Sequence, residues 1–285
     1  MAAADAEGTE DAAEEEETPD VEAEPIENMT VSVRAEVLQQ VIDQLLTVVD
    51  EAIFRIGYDG LSVTAVDPAN VGMVDLEVEP GAFESVGDGM FPIGLNLQRL
   101  DDYIDGASGG DPVTLSFQPE TLSVEIQHTN VEVDMAGIDT EAMRGEPDIP
   151  ELDHNVEFTT EAGVFRDAIE NAELVSDHVE FEAVVDDQEL VVSGDGDTDM
   201  IETVLGSDEL PEANFDSDAT SMYSLAYLVG GSAEGSKLKG LLKPMSKGTD
   251  LRVEFSEEMP VKMYYDFADG FGHTTLMLAP RIQAR

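Results

Sequence analysis

Cysteine is absent from the 285 residues, which excludes disulfides, thiolate metal sites and a cysteine nucleophile. Long apolar runs are missing as well; the longest span only a few residues, far short of the roughly 20 that a membrane-crossing helix needs. The N-terminus has neither a basic region nor an apolar stretch behind it, so a secretory signal is not expected, and an intracellular location follows by default. Positive charge is scarce. There are 13 Lys+Arg against 64 Asp+Glu, a formal net charge of −51.

What is present is acid, spread along the whole chain. Residues 1–28 hold twelve acidic residues and no basic one, leaving 52 acidic and 13 basic residues, a net −39, elsewhere. Acids sit between apolar positions, as in Glu180-Phe181-Glu182. In ordinary cytosol such self-repulsion strains a compact fold. In molar salt, where the Debye length is about 3 Å, it is screened. The composition therefore points to a folded surface adapted to high salt. The other reading is an acidic binding protein that mimics nucleic acid.

Residues 1–28, rich in Ala and Glu with Pro19 and Pro25, have too little apolar surface to order themselves and are expected to be a disordered acidic extension. Beyond them the pattern repeats. Thr30–Val33 alternates as a strand does. From Ala35 to Val49, Val37, Leu38, Val41, Ile42, Leu45 and Leu46 share one helical face. Strands follow at Ala52–Ile56 and Leu61–Val66 around an Asp59-Gly60 turn. The same order recurs with Phe158 in a strand, Val164, Phe165, Ala168, Ile169 and Ala172 on a helix, and strands at Val179–Val185 and Leu190–Val192. Leu38, Ile42, Val48, Asp50 and Phe54 match Phe165, Ile169, Val175, Asp177 and Phe181, each pair 127 residues apart. That distance is too long for a solenoid period and implies tandem domains of similar fold. Farther on, Met90–Leu97 and Met222–Leu228 each lead into helical sequence, and Val113–Phe117 and Leu251–Phe255 each start a run of strands. The expected organisation is one domain over 29–137, an extended connector over 138–153 with Pro147 and Pro150, and a second domain over 154–285. Two helices and several antiparallel strands per domain make the fold class α+β.

Catalytic constellations do not survive inspection. His128, His154, His178 and His273 show no paired ligand spacing and read as structural or surface residues. Asp195-Gly196-Asp197-Thr198-Asp199 resembles the start of a calcium loop, but Met200 stands where the loop needs Gly, so a solvated turn is expected. Gly230–Lys237 imitates a phosphate loop, yet its lysine falls one place late and Leu238 replaces the hydroxyl residue; a flexible insertion fits better. With 64 acids, paired carboxylates carry no information. No enzyme and no cofactor are expected.

Four of the five lysines lie at Lys237, Lys239, Lys243 and Lys247. On a helix, Lys239 and Lys243 share a face, with Lys247 one turn on. Such a stripe suits weak, salt-sensitive contact with DNA phosphates; it equally suits lysines that complement a helix C-terminus. Arg99 and Arg166 stand on other expected helices and can join the same surface.

Four segments carry a resemblance. Val66-Asp67-Pro68-Ala69-Asn70-Val71-Gly72-Met73-Val74-Asp75-Leu76 resembles the signature segment of archaeal sliding clamps of the proliferating cell nuclear antigen type. Leu278-Ala279-Pro280-Arg281-Ile282 is similar to their C-terminal motif, and Glu146-Pro147-Asp148-Ile149-Pro150-Glu151-Leu152 to the end of their interdomain connector. Leu174–Asp177 with His178 fits their second domain, and the likeness covers about 29–285. It implies two DNA-clamp domains, sheets outside and helices inside, closing head to tail into a homotrimeric ring around duplex DNA. The edge strand near Asn130–Ala136 would pair with one near Asp199–Gly206 of the next subunit. The partners implied are a clamp loader, and DNA polymerase, flap endonuclease and ligase through short peptides; no membrane is involved, and the location is cytoplasmic and nucleoid-associated. Carried over by position, the peptide pocket involves Val66, Asn70, Val71, Met73, Ile149, Pro150, Pro260, Met277, Pro280 and Ile282. The acidic extension, the sparse basic charge of the first two helices and the Val229–Ser236 segment depart from the family pattern. They leave room for a divergent paralogue working in repair or checkpoint control within a mixed ring.

Overall fold

Strand alternation and helical periodicity lead directly into one another at Arg34. The computed structural model describes residues 28–281 apart from 88, 128, 130, 146–148 and 234–235, so the extension expected over residues 1–28 lies outside the described residues except for its last position. Strand β1 (Met29–Arg34) buries Met29, Val31 and Val33 and runs straight into α1 (Ala35–Leu45), whose Val37, Leu38, Val41, Ile42 and Leu45 are buried. The helix stops four residues short of the expected Val49. Thr47 bonds back through Oγ1 to the Gln44 carbonyl at 2.6 Å, and the β-branched Thr47-Val48-Val49 run is poor at continuing a helix. Strands β2 (Glu51–Gly57) and β3 (Gly60–Val66) form the expected hairpin. Gly60 has φ +106°, and a Cβ there would lie 2.0 Å from the Val78 carbonyl oxygen, so only glycine fits the turn. Then come β4 (Gly72–Val78), a short β5 (Phe83–Ser85) and β6 (Met90–Asn96). Helix α2 (Leu97–Ile104) follows, capped by Asn96, which accepts from the Arg99 amide at 3.0 Å. Strands β7 (Pro112–Gln118), β8 (Thr121–Ile126) and β9 (Val131–Ala136) complete the first copy.

The second copy repeats the order: β10 (Val156–Glu161), α3 (Ala162–Glu173), β11 (His178–Val184), β12 (Glu189–Asp195), β13 (Met200–Leu205), β14 (Glu212–Phe215), β15 (Ala219–Ser224) and α4 (Leu225–Leu228). Here it departs from the first. A small hairpin, β16 (Gly231–Ala233) with β17 (Ser236–Leu238), is inserted before β18 (Asp250–Phe255), β19 (Val261–Phe267) and β20 (Gly272–Leu278). The turn between β12 and β13 is the segment that imitated a calcium loop; it is closed by the Gly196 amide on the Asp199 carbonyl at 2.9 Å.

The helical lysine stripe is overturned. Helix α4 has four residues and ends where Gly230 and Gly231 take φ +92° and +147°. Lys239 precedes Gly240 at φ +88°, and Lys243 and Lys247 sit in the turns that follow, around Pro244. The chain is held there by the Leu241 and Leu242 amides donating to the Tyr227 and Leu228 carbonyls at 2.8 and 3.0 Å. Spacing of i, i+4 means a shared face only on a helix, and glycine and proline prevent one.

All the pairing between these strands is antiparallel. The sheets are β5-β1-β7-β8-β9, β13-β12-β11-β15 and a nine-stranded β14-β10-β18-β19-β20-β4-β3-β2-β6. The last crosses from one copy to the other, because β20 pairs with β4 from Gly272↔Val78 to Leu278↔Gly72. One contiguous core runs through both copies. In the second, Phe158, Phe165, Phe181, Tyr223 and Phe255 stack in tilted and edge-on contacts at 5.0–6.1 Å between ring centroids.

Candidate functional site

The joint between the copies is organised by one carboxylate. Asp67, at the start of the β3–β4 loop, is buried and accepts four hydrogen bonds. The Val71 and Gly72 amides donate to Oδ1 at 2.6 and 2.8 Å, and the Ala69 amide and the Tyr227 hydroxyl donate to Oδ2 at 3.0 and 2.8 Å. Charge-assisted bonds of this kind are stronger than neutral ones. They hold the loop in a tight coil with Asn70 at φ +57°, so its shape is set by the chain itself. Gly72 lets the Tyr227 ring approach: a Cβ there would lie 3.1 Å from the ring.

Across the joint, Met73 of β4 faces Met277 of β20 in register. Beyond β20 the chain crosses back, with the Ala279 amide on the Val71 carbonyl at 2.8 Å and the Arg281 amide on the Met222 carbonyl at 2.7 Å. The Arg281 guanidinium touches the His178 ring. Burial, then the Arg281 charge, lowers the His178 pKa, so this imidazole is neutral at pH 7.

The connector is fastened at both ends. At its start Ile138 bridges Gly94, and the Arg144 guanidinium donates to the Asp67 carbonyl at 3.0 Å and to Asn70 Oδ1. At its end Lys262, only 8% exposed, donates to the Pro150 carbonyl at 2.8 Å. Beside that lysine His154 has both ring nitrogens buried without a hydrogen-bond partner, and burial lowers its pKa.

The family-model comparison matches residues 30–144 to the proliferating cell nuclear antigen N-terminal domain. The DNA polymerase sliding clamp of Natronomonas pharaonis is 39% identical over 252 residues, covering 88% of this chain and 98% of that one. The chain belongs to the DNA polymerase sliding clamp family. The sliding clamp of Haloarcula marismortui is 38% identical over the same shares of each chain. The clamp fold agrees with solved structures. The solved structure of the C-terminal region of FEN-1 bound to A. fulgidus PCNA superposes with a TM-score of 0.80 at 31% identity, covering 90% of this chain and 100% of that one. PCNA from Thermococcus kodakaraensis gives 0.78 at 25% identity, covering 89% and 100%. The fold class read from the sequence, α+β with two clamp domains, is the one observed.

Within this clamp the pocket residues expected from the sequence fall into three groups. Val66, Asn70, Val71 and Met73 share the β3–β4 loop and its strands, while Met277 and Pro280 lie on or just beyond β20, which pairs with β4. Pro260 precedes β19, whose Lys262 reaches the connector at Pro150. Ile282 lies outside the described residues, as do Glu146, Pro147 and Asp148 of the connector motif. Met73 and Met277 are 7% and 8% exposed, so they form the floor. Ile149, exposed, and the half-buried Val66, Val71, Pro260 and Pro280 offer the reachable apolar surface. A cleft of about 920 Å³ opens beside Val66, lined by Leu46, Ile138, Met143, Arg144, Tyr227 and Lys239 among others. Of the nine expected residues that are described, only Val66 lines it. Sequence reasoning missed Arg144; its signal was that it is the sole basic residue between Arg99 and Arg166.

Several of the described basic side chains expected to face DNA already have partners within the fold. Lys243 pairs with Glu170 at 3.1 Å and Lys247 with Asp167 at 3.7 Å, both acids on α3. Arg166 donates to the Leu242 and Met245 carbonyls at 3.2 and 3.3 Å. Arg99 lies on α2 and donates to the Tyr103 hydroxyl at 3.0 Å. The Lys237 side chain lies outside what is described. Lys239 stands near Asp43, whose pKa is raised by burial and then by Asp101, against the pull of Lys239. These exposed pairs contribute about 0–1 kcal/mol each, so they bias charge more than they hold the fold.

Proposed function

We propose that this clamp closes head to tail into a three-subunit ring around duplex DNA and serves there as a processivity scaffold. The observation that carries the reading is the joint inside the chain. Strand β20 adds to β4 through a seven-residue ladder, while the equivalent strands β9 and β13 end their own sheets with one side unpaired. Two unpaired edges of complementary position on one chain form a heterologous contact, which closes into a ring when the rotation permits. The scaffold needs no catalytic group and no cofactor, since topological enclosure replaces tight binding.

In this reading the surface around Val66, Val71, Ile149, Pro150, Pro260 and Pro280 receives short peptides with apolar anchors from DNA polymerase, flap endonuclease and ligase, and an ATP-driven loader opens the ring. A solved relative described as bound to the C-terminal region of FEN-1 supports peptide capture. The residues Arg99, Arg166, Lys239, Lys243 and Lys247 are assigned to the DNA side, and Lys237 with them. The setting is the cytoplasm, at the nucleoid.

A second reading, a divergent paralogue in a mixed ring, draws on the β16–β17 insertion, which replaces helix where the first copy has α2. Light scattering after size exclusion in molar potassium chloride tests both. A mass of three times the 30.7 kDa chain supports self-closure, and a monomer turns the assignment to the mixed ring. A trimer that also encircles DNA removes the DNA-mimic alternative.

A further inference from the structure

The chain contains a template for its own subunit contact, and the template fixes which residues meet. The two copies can be aligned strand by strand from their ladders. In the first, Arg55 faces Ser62 and Ser62 faces Glu77. In the second, Glu182 faces Val191 and Val191 faces Val204. Arg55 and Glu182 are equivalent at the 127-residue offset, so Glu77 corresponds to Val204, and Asp75 to Glu202. On the other side, Val31 faces Leu115, then Val124, then Val133. Its equivalent Phe158 faces Val253, then Met263, then Leu276. Val133 therefore corresponds to Leu276, and Glu132 to Thr275. Within the chain Leu276 faces Val74 and Thr275 faces Asp75.

We infer that ring closure sets Val133 of one subunit against Ile201 of the next and Glu132 directly against Glu202, so that closure depends on screening of this acid pair by salt. The inference rests on the head-to-tail reading above and names what regulates that contact. Burial supports the register. Met135 and the partly buried Val133 face the core on β9, as Leu205 and the partly buried Ile201 and Thr203 do on β13, whereas Glu132 and Glu202 are exposed. The apolar pair Val133 and Ile201 meets on the core-side face, and the acid pair Glu132 and Glu202 on the exposed one.

The chain's internal joint shows what this contact lacks. There, the row across β19, β20, β4 and β3 reads Tyr264, Thr275, Asp75 and Thr64, with Asp75 its one acid, opposite Thr275 and accepting from Thr64 Oγ1 at 2.6 Å. In the subunit joint the row reads Glu125, Glu132, Glu202, Ser193 and Glu180 across five strands. No lysine or arginine occurs from 112 to 136 or from 178 to 206, so neither of the two strand runs that meet supplies a counter-charge. Like charges directly opposite weaken strand pairing. Salt at molar strength shortens their reach to about 3 Å.

Three measurements on the full chain decide it. The chain has no native cysteine, so the double variant E132C/E202C, oxidised in high salt, is expected to give covalent species up to trimer on a denaturing gel. E132C/V204C, slipped two residues on the same face, is expected to cross-link poorly; the reverse preference overturns the register. Mass measured across a potassium chloride series is expected to show E132Q/E202Q forming trimers at lower salt than the parent, with subunit affinity up to about fivefold higher at low salt. An unmoved salt midpoint overturns the screening inference. V133D separates the two levels. If it dissociates the trimer while E132Q/E202Q leaves the midpoint unmoved, the edge-to-edge reading stands and this inference falls. If V133D stays trimeric, the edge-to-edge reading falls and takes this inference with it.

Discussion

The hydroxyl of Tyr227 donates to Oδ2 of Asp67 at 2.8 Å, joining residues 160 apart in sequence and one in each copy of the fold. Through this bond the second copy is tied to the loop that frames the proposed peptide surface. Tyr227→Phe removes one donor from a carboxylate that keeps three amide partners, so a loss of about 0.5–1.5 kcal/mol is expected. Asp67→Ala strands those buried donors and is expected to cost about 3 kcal/mol or more. Urea unfolding at constant high salt measures both. Equal losses for the two variants would mean that the loop is not organised by this carboxylate.

The connector's fastenings lead to a binding prediction. Ile149, 39% exposed, is expected to act as an anchor contact, and Ile149→Asp to weaken a peptide bearing aromatic and aliphatic anchors by about tenfold or more. Arg144→Ala frees the connector from Asp67 and Asn70 and is expected to weaken the same peptide several-fold, by raising the ordering cost of binding. Calorimetry on trimeric protein reads both. Unchanged affinity in Ile149→Asp would move the peptide site elsewhere.

Lysines paired with acids give a counterintuitive expectation for DNA. Neutralising Glu170 and Asp167 together, as Glu170→Gln with Asp167→Asn, releases Lys243 and Lys247 without adding a base. Association with duplex DNA is expected to strengthen, and the slope of log K against log salt to steepen by about 0.9 for each lysine that gains a phosphate. Fluorescence anisotropy over a salt series checks this. A slope that does not change would place these lysines away from the duplex.

His273 supplies a pH dependence. Its Nδ1 lies 2.8 Å from Asp266 and its Nε2 3.3 Å from Glu79. The Asp266 bond, opposed by slight burial and helped by Glu79, raises its pKa above 6.5. A raised folded-state pKa means that protonation stabilises the fold. The contribution is complete below the unfolded value of about 6.5 and is lost as pH rises through the folded value. The parent is expected to lose slightly more thermal stability than His273→Gln between about pH 6 and 8, the pair being exposed and screened. Identical melting profiles in that range would exclude the coupling.

Much of this architecture is legible in the residues because burial is periodic. Alternation marks β1, β2, β3, β7, β11 and β18, and the 127-residue offset shows the duplication in the residues alone. Helix ends were less legible: nothing in the apolar pattern of α1 marks its stop at Leu45, which depends on Thr47 turning back to Gln44. The lysine stripe misled because charge spacing says nothing about backbone, and Gly230, Gly231 and Gly240 adopt positive φ there. At the proposed peptide surface, chain position points to Met73 and Met277 but not to their burial by the β4–β20 ladder. Arg144 was invisible as a clasp, since its partners, Asp67 and Asn70, are defined only once the loop has folded.

A cut in the backbone between Gly145 and Ile149 would separate the two halves on paper and leave them together in solution. The ladder from Gly272 to Leu278, the Tyr227 bond and the shared core do the holding. The connector is thus released from bearing tension between the halves. It can be loosened, lengthened or gripped by another protein without the particle coming apart.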